Sequence, residues 1–411
     1  MKENNLKKKL ILMPLMAPIH FELLKNIFNN EGYHFKLLTN INHNIPEEGL
    51  KYVHNDTCYP ALLVVGQIID ALKNEDYDLD NTYVIMSQTG GGCRASNYLS
   101  LIKRALKKAG YEKVKVVSIT LAKLDNEYQL PITFKMIRKA LMAVLYGDLL
   151  MLLDNQIKPY EINVGESNNK VHYWIDNLSK QFLNNEGYSN KDFKININNI
   201  LKSFKEIKLN KTNKIKVGIV GEIYVKYSSL GNNNLEEFLY HEGCEIMVPG
   251  LLGFVLYGFQ NGITDYKLYG GSYFSKLGRK IVRNYILRKE KLLLNTIKKY
   301  DFFAPHDFMH TYSLIKGVIS PGVKMGEGWL LTAEMLELIN EDFKNIICTQ
   351  PFGCLPNHIV GKGMIRKIKE LYPDSNIVPI DYDPGATKVN QENRIKLMLS
   401  VAKENLNKEV K

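Results

Sequence analysis

Apolar and polar positions alternate along the first 155 residues in blocks that switch between strand and helix periods. Residues 9–13 read as a strand, 20–30 as a helix and 34–38 as a second strand. Helical spacing follows over 60–73, carried by Leu63, Ile68, Ile69 and Leu72. The run 82–87 is continuously apolar, as a strand buried on both faces requires. Over 97–109, Leu99, Ile102, Leu106 and Ala109 share one helical face, and Gly110 supplies a stop. Residues 114–119 predict another strand, and 132–155 predict one or two long helices.

Residues 160–214 are polar, rich in Asn and Lys, and only weakly periodic, which predicts helical decoration and a linker. A second alternating unit then begins. Its predicted strands are 215–220, 245–248, 345–349 and 376–380, and its predicted helices are 234–242, 273–300, 330–339, 355–371 and 389–406. Strands alternating with helices of ten or more residues imply parallel sheets covered on both faces. The expected fold class is therefore α/β, with two doubly wound parallel-sheet lobes and added helices. The lobes fall at 1–205 and 214–411, with a cleft between them.

Composition narrows the classes. With 411 residues, 45% apolar and 24% charged, the chain is long enough for two globular cores. No apolar run reaches the roughly 18 residues of a membrane span. Lys7, Lys8 and Lys9 before Leu10–Met13 resemble the start of a leader, but Pro14 and Pro18 interrupt the apolar stretch, so a buried strand is predicted. These features predict a cytoplasmic protein that does not engage membrane. The net charge is +11, from 54 basic and 43 acidic residues. The lysines are scattered rather than striped and no zinc-finger or RNA-recognition signature is present, which argues against nucleic acid. A mild positive field suits an acidic partner or a polyphosphate ligand.

Candidate chemistry centres on cysteine. There are five, an odd number, which points to free thiols rather than a disulfide framework. Cys93 follows a predicted strand and Gly90-Gly91-Gly92, at the carboxyl end where open α/β sheets bind ligands. Cys354 follows a strand and the turn Gln350-Pro351-Phe352-Gly353, and Cys58 precedes Pro60 at a helix start. A helix N-terminus favours thiolate, the form that ligates metal. Three further readings stay open: a glycine-rich phosphate turn, a zinc site, or buried thiols beside tight turns. Cys244 and Cys348 lie against or within apolar strands and read as packing residues.

Several motifs resemble those of the 2-hydroxyacyl-CoA dehydratase and benzoyl-CoA reductase superfamily, in its CoA-substrate-specific enzyme activase-related branch, with a looser likeness to double-cubane cluster proteins. They are Asp56–Ala61, 88–98, Gly221–Tyr224 with Asn233–Phe238, Gly326–Trp329, Pro351–Gly363, and Asp381–Ala386 with Asn393–Ile395. The resemblance implies a 4Fe–4S cluster held in the cleft by Cys58, Cys93 and Cys354. It also implies a cytoplasmic iron–sulfur enzyme, a dehydratase (lyase) or reductase doing low-potential electron chemistry on a CoA thioester. The alternative it allows is a non-catalytic electron-transfer protein or a double-cubane-type reductase component acting on a small non-CoA substrate. Implied partners are a separate ATP-dependent activator and a second subunit in a homodimer or heterodimer. Five cysteines cannot supply six ligands, so a double cubane would bridge two chains. Glu222, Glu327, His306, His310 and His358 are the polar groups to inspect for proton handling, and Asn357 and His358 could support Cys354.

Overall fold

The computed structural model describes residues 6–87, 92–119 and 128–409. It contains two four-stranded sheets, and every strand pair in both is parallel. The first is built from β1 (Leu10–Pro14), β2 (His34–Leu38), β3 (Thr82–Ser87) and β4 (Lys115–Ile119), in the order β2-β1-β3-β4. The second uses β5 (Ile215–Gly221), β6 (Cys244–Met247), β7 (Asn345–Pro351) and β8 (Asn376–Tyr382), in the equivalent order β6-β5-β7-β8. In each sheet the direction of winding reverses between the first and third strands. This makes a switch point between β1 and β3 and another between β5 and β7, where crevices form at the carboxyl ends. The expected doubly wound architecture is present in both halves.

The strands form where apolar runs can be buried on both faces. Val217, Ile219 and Val220 of β5 and Ile346, Ile347 and Cys348 of β7 are fully buried. Gly221 ends β5 at φ +146°, and a Cβ there would overlap Thr349 of β7. This close approach lets the chain turn sharply at the switch point.

The helices match expectation at 132–155 and differ from it in three other places. Residues 132–155 form one helix, Phe134–Ile157, much of it buried. The weakly periodic stretch holds two regular helices, Glu166–Leu183 and Asn190–Lys205, the second opened by Ser189 accepting from Asp192 N. Leu251–Tyr269 is a helix that the apolar pattern did not single out. Asp148, on the Phe134–Ile157 helix, accepts from Leu251 N at 2.7 Å and Leu252 N at 2.9 Å, satisfying donors that an open helix end leaves free. The same carboxylate is 2.8 Å from Nε2 of fully buried His20, so one acid ties both halves together. The region expected as a single helix over 355–371 is split at Gly361, between Leu355–Val360 and Ile365–Leu371. No described helix is long and apolar enough to cross a membrane.

Candidate active site at the junction of the two sheets

The carboxyl ends of the two sheets meet. Tyr59 N, opening the Tyr59–Asn74 helix, donates to Phe352 O at 2.9 Å just after β7. Gly353, at φ +69°, brings its backbone so near that a Cβ would lie 3.1 Å from Cys58 Cα. Gly92 N donates to Met325 Sδ at 3.2 Å, a second contact between the halves.

Two carboxylates converge on the turn after β5. Glu222 caps the short Ile223–Tyr227 helix, its Oε2 accepting from Val225 N at 2.9 Å. Glu327 reaches the same turn from before the Trp329–Asn340 helix, and its Oε1 accepts from Ile223 N at 3.0 Å. Both are buried, at 9% and 8% exposure. Burial first, and then the charge of Glu327, push Glu222 up to about 8. Burial also raises Glu327, against the pull of the Ile223 N–H and Lys226. Two buried carboxyls on one turn resist double ionisation, which is the direction in which both are shifted.

Lys226, one turn further on, does not neutralise this pair directly. Its Nζ bonds both oxygens of Glu334, at 3.0 and 3.1 Å, with both side chains buried. Burial still holds Glu334 above the ordinary carboxylate range despite that ammonium.

The predicted thiols lie around the carboxylates. Cys58 is buried, 3.5 Å from the hydroxyl of buried Tyr98. Cys354 is buried and Cys93 is half-buried. Cys93 precedes a single 3-10 turn, Arg94–Asn97, and Cys354 precedes a six-residue helix, so neither has the long helix that would favour thiolate. Burial pushes all three thiols up. The negative charge of Glu222 adds to this at each, and that of Glu327 does so at Cys93 and Cys354. Cys58 does open the 16-residue Tyr59–Asn74 helix, but there too burial outweighs the helix-end effect and raises the thiol. Residues 88–91, the first part of the glycine-rich loop, lie outside the described residues.

This corrects the iron–sulfur expectation. Among the described residues, the one group of three or more His, Cys, Asp or Glu side chains gathered tightly enough to hold a metal ion is His306, Glu337 and Glu341. It contains no cysteine. The 4Fe–4S cofactor on Cys58, Cys93 and Cys354, the double-cubane variant, and the dehydratase or electron-transfer function built on them are not supported. The physical reason is that burial and the nearby charges of Glu222 and Glu327 disfavour the thiolate form at these positions.

The other expected polar residues divide. Glu222 and Glu327 come together. His306 and His310 do not join them: they stack on each other at 4.0 Å beside Glu341, past the far end of the 12-residue Trp329–Asn340 helix. That helix is roughly 18 Å long at 1.5 Å per residue. His358 is exposed. Asn357 is fully buried, donating from Nδ2 to Thr349 O at 3.0 Å and accepting a weak bond from Cys348 Sγ at 3.7 Å, so it fixes the turn after β7. Cys244 and Cys348 are fully buried packing thiols, as expected. Lys226, Glu334 and Tyr98 escaped sequence reasoning, although three glutamates in the otherwise apolar 329–341 stretch were a usable signal.

No family model matches the chain, and no curated protein matches it.

Proposed function

We propose that the chain is an enzyme whose proton-transfer machinery is the Glu222–Glu327 pair, acting on a small carbonyl compound at the junction of the two sheets. The observation that carries this reading is the convergence of two buried carboxyls, with raised proton affinities, on one turn at a topological switch point. A pair sharing one proton offers a base and an acid together. The ionised carboxylate removes a proton from the carbon beside the carbonyl, and the protonated partner donates a hydrogen bond, then its proton, to the enolate oxygen. Lys226, held by Glu334, contributes a nearby positive charge that limits how far the two carboxyls rise. The proposed likeness to the 2-hydroxyacyl-CoA dehydratase and benzoyl-CoA reductase superfamily suggests acyl thioesters as the first substrates to try; its iron–sulfur chemistry forms no part of the reading.

The test is proton exchange. Acyl thioesters and the matching free acids are incubated with the protein in deuterium oxide, and label at the α-carbon is followed by NMR. Exchange by the wild type that is lost in both Glu222→Gln and Glu327→Gln, with far-UV circular dichroism unchanged, is the expected result. Exchange that persists in both variants would place the chemistry elsewhere.

A further inference from the structure

A second group of polar side chains lies away from the Glu222–Glu327 pair. A cavity of about 110 Å³ runs between the Phe134–Ile157, Tyr273–Lys299 and Trp329–Asn340 helices. Apolar residues such as Leu149, Leu293 and Leu338 form much of its wall. Glu290, Glu337, Glu341 and His306 also face it. Glu337 and Glu341 are four residues apart and so share one side of a helical turn. His306 arrives from the segment after the Tyr273–Lys299 helix.

The donor atoms of His306, Glu337 and Glu341 lie within 4.8 Å of one another. Glu341 Oε1 accepts from His306 N at 2.7 Å and is 2.8 Å from His306 Nδ1, so the imidazole is already oriented toward the acid. His310 stacks against the same ring and steadies it.

An independent observation is a pair of buried carboxyl oxygens without a hydrogen-bond partner. Glu341 Oε2 has no hydrogen-bond partner, although its side chain is only 3% exposed. Glu290 Oε2 has none either, in a residue 8% exposed whose other oxygen accepts from Phe308 N at 3.0 Å. Buried carboxyl oxygens are rarely left unpaired, and two lining one cavity leave acceptor positions open to a cation or to water.

We propose that His306, Glu337 and Glu341 form a binding site for a borderline divalent cation of the zinc class. One imidazole nitrogen and two carboxylates match that class: the nitrogen disfavours magnesium and calcium, and the absence of sulfur from the set disfavours copper(I). Two carboxylates and a neutral imidazole balance a doubly charged ion. Bonds of about 2.0–2.2 Å bring all three donors onto one ion after small side-chain shifts. The cavity leaves the remaining position for water, to which the free oxygen of Glu290 is the available acceptor. His306 is 44% exposed, which gives the ion a route in from solvent. Once bound, the ion ties residues 301–308 to the end of the Trp329–Asn340 helix.

The experiment uses the full chain, stripped with a chelator and titrated with Co²⁺ as a spectroscopic substitute and with Zn²⁺ as the ion itself. One Co²⁺ per chain is expected, with visible d–d bands and no thiolate-to-cobalt charge-transfer band. The thermal midpoint should rise with Zn²⁺, since an ion that binds only the native state stabilises it. His306→Ala, at an exposed position that should fold normally, and Glu341→Gln should each weaken binding at least tenfold, and Cys58→Ala should leave it unchanged. Absence of binding at millimolar Co²⁺, a thiolate charge-transfer band, or full affinity in His306→Ala would overturn the assignment. None of these readouts depends on proton exchange at Glu222 and Glu327.

Discussion

Lys226 Nζ bridges the two oxygens of Glu334 at 3.0 and 3.1 Å, with each side chain only 5% exposed. A buried pair of this kind is weakly stabilising as a whole and costly to split, because the surviving charge stays desolvated. Lys226→Met should therefore destabilise the protein by about 3–5 kcal/mol. Lys226→Met combined with Glu334→Leu should recover most of that loss. Urea denaturation of the two single variants and the double variant measures the coupling directly. Additive losses would mean that the two residues act independently.

The Glu222–Glu327 pair sets a pH dependence of definite sign. Glu222 is raised in the folded protein from 4.5 to about 8, so between those values the native state holds a proton that the unfolded state has lost. Stability from this group is therefore fully present below about 4.5 and declines as pH rises toward about 8. Glu236, raised to about 7 by burial, adds a decline of the same sign. Urea midpoints measured from pH 5 to pH 8 should fall with rising pH, and Glu222→Gln should flatten that slope. In the proposed proton exchange, activity should disappear above about 8, where the shared proton is lost. A wild-type midpoint that rises across this range would show that the pair is not proton-loaded.

The eight described strands were legible in the sequence, most of them because buried parallel strands are largely apolar runs, and β2 and β3 matched their predicted limits residue for residue. Helices were legible where one face alone is apolar. Leu251–Tyr269 was not, because its buried residues are interrupted by Gly253, Gly258 and Gly262 and carry no clear stripe. Helices 166–183 and 190–205 were only weakly legible, since their exposed faces are crowded with Asn and Lys, which are poor guides to period. The break at Gly361 depends on a tertiary contact: a side chain there would strike Asn357 and Leu331. The positions of Cys93 and Cys354 after strand ends could be read directly. Their chemistry could not, since it is set by burial and by Glu222 and Glu327, which are far away in sequence.

The switch point between β5 and β7 admits no side chain on Gly221. Its φ of +146° is unfavourable for any L-residue, and an added methyl would overlap the hydroxyl and carbonyl of Thr349. Gly221→Ala should cost about 2–5 kcal/mol, combining backbone strain with overpacking. It should also disturb Glu222, the next residue, so proton exchange should fall more than stability alone explains. Gly110→Ala is the matched control. It also sits at positive φ but has open space around its Cβ position, and it should cost about 1 kcal/mol. Thermal melts of the two variants separate close approach from φ alone; equal losses would remove the close-approach argument.

The thiols provide the final prediction. Four of the five cysteines are buried, and Cys93 is the exception. Alkylation needs both access and thiolate, and burial raises Cys58, Cys93 and Cys354 together. Exposure should therefore decide the order. Iodoacetamide at pH 8 should modify Cys93 first and slowly, with Cys58, Cys354, Cys244 and Cys348 reacting only on unfolding; peptide mass spectrometry resolves the sites. Glu327→Gln removes a charge that raises both Cys93 and Cys354, so it should speed modification of Cys93 while leaving the inaccessible Cys354 silent. Unchanged Cys93 kinetics in that variant would break the proposed electrostatic link between the carboxylates and the thiols. Joint protection of Cys58, Cys93 and Cys354, lifted only as the protein loses iron, would reverse the correction of the iron–sulfur expectation.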